Sequence, residues 1–190
     1  VALAINQAWL NRLLQLSFER GLFSHLEIGD DKTGRQSITL SETPKLSLTA
    51  VEVKSDSNVT GRGSVNVHMA HHPKGLDLLL VADPMNVEFN IDVELRRDPD
   101  GQFRVYIVGA DTASLRIEDR AIRFDLARGA VYSKARDTIA TVNKALAAAP
   151  KAIIKTMPIP PAIMGVPIHL KDARAENSGN LVFYLEYGGK

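Results

Sequence analysis

The chain has 190 residues, 45% hydrophobic and 24% charged, an ordinary composition for one domain or two small ones, with enough apolar material for a full core. Its 23 Lys and Arg against 22 Asp and Glu leave a formal net charge of +1; this excludes a global field for phosphodiester backbones, and no nucleic-acid partner is expected. The lack of cysteine excludes a disulfide framework and thiolate-bound zinc.

The opening VALAIN alternates like a short strand and runs into Asn6, a preferred N-cap. Beyond it Trp9, Leu10, Leu13, Leu14 and Phe18 recur at helical spacing, with Asn11, Arg12, Gln15 and Glu19 between them, which predicts an amphipathic helix ending near Gly21. The chain starts at Val1 already inside this strand-like run, which leaves room for an upstream signal peptide, anchor or partner domain. No apolar run reaches the roughly 18 residues of a membrane-spanning helix.

After the turn-rich GDDKTGRQ at 29–36, ITLSE and KLSLTAVEV read as strands, with a slip of one residue near Ala50 that suggests a bulge. SVNVHM alternates at Val65, Val67 and Met69, whereas LDLLLVA is apolar on both parities. NVEFNIDVEL is the clearest strand: Val87, Phe89, Ile91, Val93 and Leu95 share one face, and Glu88, Asn90, Asp92 and Glu94 share the other, as in an antiparallel sheet with one wet side. Asp98-Pro99-Asp100-Gly101 is a turn, with Pro fixing one dihedral and Gly accepting a positive one. It leads into QFRVYIV, and SLRIEDRAIRFDL is expected to continue the sheet.

From about Val131 to Met157 the period becomes helical, with Ile139, Val142, Leu146, Ile153 and Ile154 on one face and Pro150 as a kink or restart. The uncharged link MPIPPAIMGVPI precedes a terminal hairpin, IHLKDARAE and LVFYLEY, turned across residues 177–180. The chain reads as a single module, 1–190, without internal repeats.

About six to eight paired strands span roughly 30 to 40 Å, and each helix covers only about 10 to 12 Å. The uncovered apolar sheet face can curl around a helix, meet a second copy in a homodimer, or enclose a ligand. Ala145, Ala147, Ala148 and Ala149 on the second helix leave space for an acyl chain, while small residues on a helix more often mean close packing.

ALAINQAWLNRLLQLSFERGLF resembles the opening of a half-module in the tubular lipid-binding superfamily, the family of bactericidal/permeability-increasing-protein-like folds. Asn11 and Leu14 sit in a helix similar to that family's first, Gly21-Leu22-Phe23 resembles its exit, and the Pro-containing link with its terminal strands resembles the family's close. Residues 1 to 187 follow the family's order of elements, without the cysteine pair of many animal members. The resemblance implies an α+β fold in which a highly curved antiparallel sheet rolls around a long α-helix, with a second helix beside it. It further implies a non-enzymatic role, the binding of lipid or fatty-acid tails for carriage or sensing, and a periplasmic, secreted or membrane-associated setting.

The candidate acyl-chain lining is Leu10, Leu13, Leu14 and Phe18 of the first helix, Val87, Phe89, Ile91 and Val93 of the clearest strand, and Ile139, Val142, Leu146 and Ile153 of the second helix. Met157, Ile159, Ile163 and Met164, in the uncharged link, are candidates for a cavity mouth or a peripheral membrane contact. Physics supplies a use for such a site: moving about 15 methylenes from bilayer to water costs roughly 12 kcal/mol. The alternative is a structural or interaction module whose roll is filled by its own side chains, and an enzyme of hydrolytic or isomerase type is a distant third.

Catalytic motifs give no positive signal. His68, His71 and His72 are the only clustered imidazoles, and on a strand His68 and His71 point to opposite faces, so neither metal nor other cofactor is expected. Gly61-Arg62-Gly63 lacks the third glycine of a dinucleotide loop, and there is no GxSxG elbow. Asn58-Val59-Thr60 is a glycosylation sequon, relevant only in a eukaryotic secretory chain.

Overall fold

The computed structural model describes residues 1–22, 25–28, 36–50, 58–71, 77–154, 162–163, 165–176 and 179–188. Strand β1 (Ala2–Asn6) passes directly into helix α1 (Gln7–Glu19), as the sequence predicts. The Asn6 side-chain oxygen accepts from the Trp9 amide at 2.8 Å, satisfying a donor that the first helical turn would leave bare. The helix ends where Gly21 takes φ +76°, with the Leu22 amide donating to the Ser17 carbonyl and the Gly21 amide to the Phe18 carbonyl. That nested pair closes the last turn around a residue for which a left-handed backbone costs nothing.

Strands β2 (His25–Ile28) and β3 (Gln36–Thr39) form a separate antiparallel pair. A five-stranded antiparallel sheet follows in the order β4 (Lys45–Thr49), β5 (Val59–His71), β6 (Met85–Arg97), β7 (Phe103–Ile117) and β8 (Lys151–Ile154). A one-turn helix α2 (Asp77–Leu80) lies between β5 and β6, and α3 (Arg128–Ala148) between β7 and β8. A second sheet has the order β1, β11 (Asn180–Tyr187), β10 (Val166–Glu176), β9 (Ala162–Ile163). The fold is therefore α+β, and the described residues form two larger antiparallel sheets and two long helices, with no closed barrel among them.

The alternation along β6 becomes a burial pattern without fault. Val87, Phe89, Ile91, Val93 and Leu95 are buried, and Glu88, Asn90, Asp92 and Glu94 lie on the wetter face. On that wet face Glu94 holds Arg62 across the strands at 3.1 Å and Arg96 at 2.8 Å, and Asn66 donates to Glu88 and Asn90. The β6–β7 turn is built as expected: Gly101 has φ +79°, and its amide donates to the Asp98 carbonyl at 2.8 Å. Arg104 bridges Asp98 and Asp100, and the Tyr106 hydroxyl donates to Asp98 at 2.6 Å.

Two apolar cores share that one face of β6. Residues Val87 to Val93 pack in a cluster with Ile107, Leu115 and the α3 side chains Ile139 and Leu146. Leu95 instead joins Phe103, Ile168, Ala173, Phe183 and Leu185, so the end of the five-stranded sheet meets the sheet of β10 and β11. The two sheets come very close there: a Cβ built on Gly61 would lie 2.9 Å from the Ala175 Cβ.

Two readings of the sequence change, and the segment apolar on both parities gains its assignment. The helical pattern from Val131 to Met157 stops at Ala148, and Ile153 and Ile154 belong to strand β8, paired with β7. Pro150 ends the helix rather than kinking it, and the β-branched isoleucines beyond it suit a strand. LDLLLVA yields the short helix α2 followed by Val81, which bridges Ile122. SLRIEDRAIRFDL leaves the sheet after Ile117 and makes two single 3-10 turns, Asp119–Ala121 and Asp125–Ala127. The bulge expected near Ala50 borders residues 51–57, outside the described residues.

Candidate functional site

Each long helix is fastened to an open margin of the five-stranded sheet by an asparagine. Among the described residues strand β4 pairs only with β5, so its outer backbone groups need partners. Asn11 on α1 supplies them, donating from Nδ2 to the Leu46 carbonyl at 3.0 Å while its Oδ1 accepts from the Leu46 amide at 2.7 Å. One turn earlier Gln7 accepts from the Leu48 amide at 2.9 Å. At the other margin β8 covers β7 only at residues 105–107, and Asn143 on α3 repeats the same two-pronged contact. Its Nδ2 donates to the Ala110 carbonyl at 2.8 Å and its Oδ1 accepts from the Ala110 amide at 2.7 Å. Tyr132, further up α3, accepts from the Ile117 amide at 3.1 Å.

These clamps fix which side of each helix faces the sheet. For α3 the outcome is burial of Ile139 and Leu146 in the main core, with Val142 packed partly against it. For α1 it is different: not one residue of the helix is fully buried. Trp9 is 51% exposed and Leu13 40%, while Leu10, Leu14 and Leu16 are half-buried. Val1 and Leu3 on the adjoining strand are exposed as well.

The proposed lining residues thus fall into two groups. Phe18, Val87, Phe89, Ile91, Val93, Ile139, Val142 and Leu146 meet in one cluster, where Phe18 is the contribution of α1. Leu10, Leu13 and Leu14 lie outside that cluster, Leu13 exposed and Leu10 and Leu14 half-buried, and Ile153 is partly exposed on β8. Of the four expected mouth residues, Ile163 lies on β9, whereas Met157, Ile159 and Met164 lie outside the described residues. The sequence reading missed Asn143 and Tyr132, whose signal was a polar residue set among apolar ones at helical spacing. It noted Trp9 only as part of the helical pattern.

A polar depression of about 460 Å3 opens on the wet side of the five-stranded sheet, lined among others by Glu42, His68, Glu88, Arg116 and Glu118. The two His68 ring nitrogens lie 3.8 Å from Glu42 and Glu88, beyond hydrogen-bond reach, so no proton relay is assembled. Among the described residues no group of three or more His, Cys, Asp or Glu side chains is placed to hold a metal ion. Likewise, among them no helix is long and apolar enough to cross a membrane.

The electrostatic anomaly on that wet face is Asp92, whose carboxyl is pushed above its ordinary value of 3.8 by burial and, secondarily, by the charge of Asp111. A raised acid pKa means that the folded chain holds the proton more tightly than the unfolded one. Stability contributed by this group is therefore lost as pH rises from the ordinary carboxylate range through the raised value. Asp92→Asn is expected to melt higher than the parent at pH 7. The difference should shrink towards zero well below pH 3.8, where the Asp92 carboxyl is neutral in the folded and the unfolded chain alike. Thermal melts across that range check this, and a gap that does not change with pH would refute the assignment.

In comparisons with protein-family models, curated proteins and solved structures, nothing matches the chain.

Proposed function

We propose that the protein is a non-enzymatic lipid-binding module that holds acyl chains against the apolar face of α1, in a groove between the helices and a curled antiparallel sheet, for carriage or sensing. The observation that carries this reading is a helix with an apolar stripe and no fully buried residue. Gln7 and Asn11 tie α1 to the margin of β4, so the helix cannot roll its stripe inward without giving up three hydrogen bonds. Trp9, Leu10, Leu13 and Leu14 then need a cover from outside. An acyl chain suits that need because it is held by area and shape rather than by directional bonds. Phe18 and the packed cluster on β6 and α3 would form the floor beside which the chain lies. The strand-to-helix opening and the Asn6 cap support a module of the tubular lipid-binding type, with the sheet coiled about its long helix.

Trp9 is the single tryptophan, so its emission reports on this face alone. Titration with oleate should shift that emission to the blue, and a brominated fatty acid should quench it. Leu13→Asp places a charge on the open face without touching the core, and is expected to weaken uptake roughly tenfold or more. No spectral response, together with a clean apo mass after native mass spectrometry of purified protein, would overturn the reading.

A second reading has its own observation. Leu3 is exposed on β1, the outermost strand of its sheet, and an apolar sheet edge is also a surface for a second copy of the chain. In that case sedimentation would reveal a dimer and lipid would be absent.

A further inference from the structure

The end of the molecule formed by α2 and the two 3-10 turns carries a second group of exposed apolar side chains: Leu79 at 65%, Phe124 at 59% and Leu126 at 98%. We propose that this tip is a membrane-docking point, in which Leu79, Phe124 and Leu126 enter the headgroup layer of a phospholipid bilayer and Arg123 meets its phosphates. The inference does not rest on acyl binding at α1, since none of these residues belongs to that face.

The backbone beneath the three side chains is firmly held. The Arg123 amide donates to the Leu80 carbonyl at 2.9 Å and the Ala82 amide to the Ala121 carbonyl at 2.6 Å, while Val81 bridges Ile122. Immediately beside the exposed residues, Val81, Ala121, Ile122 and Ala127 are buried in the main core. The chain thus alternates anchored and projecting positions, and water collapse of the tip would require pulling those anchors out. Apolar side chains held outward on a rigid frame can be inserted without a folding cost at the moment of contact.

The occupant follows from size and charge. Three separated side chains fall far short of the roughly 20–30 residues per side of a stable protein interface, but discrete aromatic and aliphatic side chains are what an interfacial layer accepts. Arg123, just before Phe124, supplies a cation for phosphate oxygens, on a tip where Asp119 and Asp125 share the single Arg128. Arg128 is taken up by Asp119 at 2.6 Å and by Asp125 at 3.4 Å, and Arg120 by Glu118 at 3.2 Å. Arg123 and Arg116 form no ion pair among the described residues and remain available for phosphate oxygens.

Flotation of the full chain with vesicles of phosphatidylcholine and phosphatidylglycerol in equal parts tests this. The parent should float, the doubly substituted Phe124→Ser/Leu126→Ser protein should lose roughly tenfold or more of its partitioning, and Arg123→Glu should lose more on these vesicles than on pure phosphatidylcholine. All three positions are exposed, and circular dichroism and a ligand-free Trp9 emission spectrum that both match the parent's would confirm that fold and helix face are intact. The proposal is overturned if the parent stays with the soluble fraction. It is equally overturned if the serine variant floats as well as the parent, or if the variant's only effect is to abolish a dimer seen by sedimentation.

Discussion

Replacing Asn143 by leucine is expected to lower the unfolding free energy by about 2 to 4 kcal/mol, because the Ala110 amide and carbonyl each lose a partner at a half-buried margin, at about 1–3 kcal/mol per group. Leucine keeps the bulk and the helix propensity, so the loss reports on hydrogen bonding rather than on a cavity. Asn143→Asp retains an acceptor for the Ala110 amide but removes the donor to its carbonyl, and should cost about half as much. Urea denaturation with an unchanged m-value is the measurement. A loss below about 0.5 kcal/mol would mean that water replaces the side chain and that the clamp is incidental.

The second large effect is expected at Gly63. A Cβ there would sit 2.6 Å from the Ser47 carbonyl oxygen, a backbone atom that cannot swing aside as a side chain could. Gly63→Ala must therefore push β4 away from β5, and overpacking of this kind costs about 1–3 kcal/mol. The effect travels further, because β4 is the strand that Asn11 and Gln7 hold. Hydrogen exchange should speed up at Leu46 and Leu48 and in the first turns of α1, while the β6–β7 amides stay protected. Protection that falls evenly across the sheet, or not at all, would refute this local coupling.

What could be read in the sequence was what has a short period or a local rule. β6 declared itself because alternation at every second residue maps directly onto two faces, and Asn6 and Asp98–Gly101 declared themselves because capping and turn chemistry act within four residues. The terminal hairpin was legible for the same reason. The isoleucines after Pro150 were not, since a short apolar run has no period of its own and only pairing with β7 decides its state. Nor does any local pattern place β1 beside β11, or bring Gly61 against Ala175; those contacts are settled by packing between distant segments. On the site, the stripe of α1 was visible, but its openness depends on how Gln7 and Asn11 orient the helix, which is a tertiary fact. Leu79, Phe124 and Leu126 were unreadable as a group because only the bridge of Val81 with Ile122 brings their segments together.

The paired asparagine clamps have a bearing on how this chain would fail. A strand margin with free amides and carbonyls is a template on which further chains can add, and in the five-stranded sheet the backbone at Leu46 and Leu48 of β4 and at Ala110 and Ile117 of β7 is capped by side chains of α1 and α3. Lifting α1 or α3 by a single turn would bare an adhesive ribbon of backbone while most of the molecule stayed native. Fibril growth in concentrated solution should then track the mobility of the two helices more closely than the melting of the core.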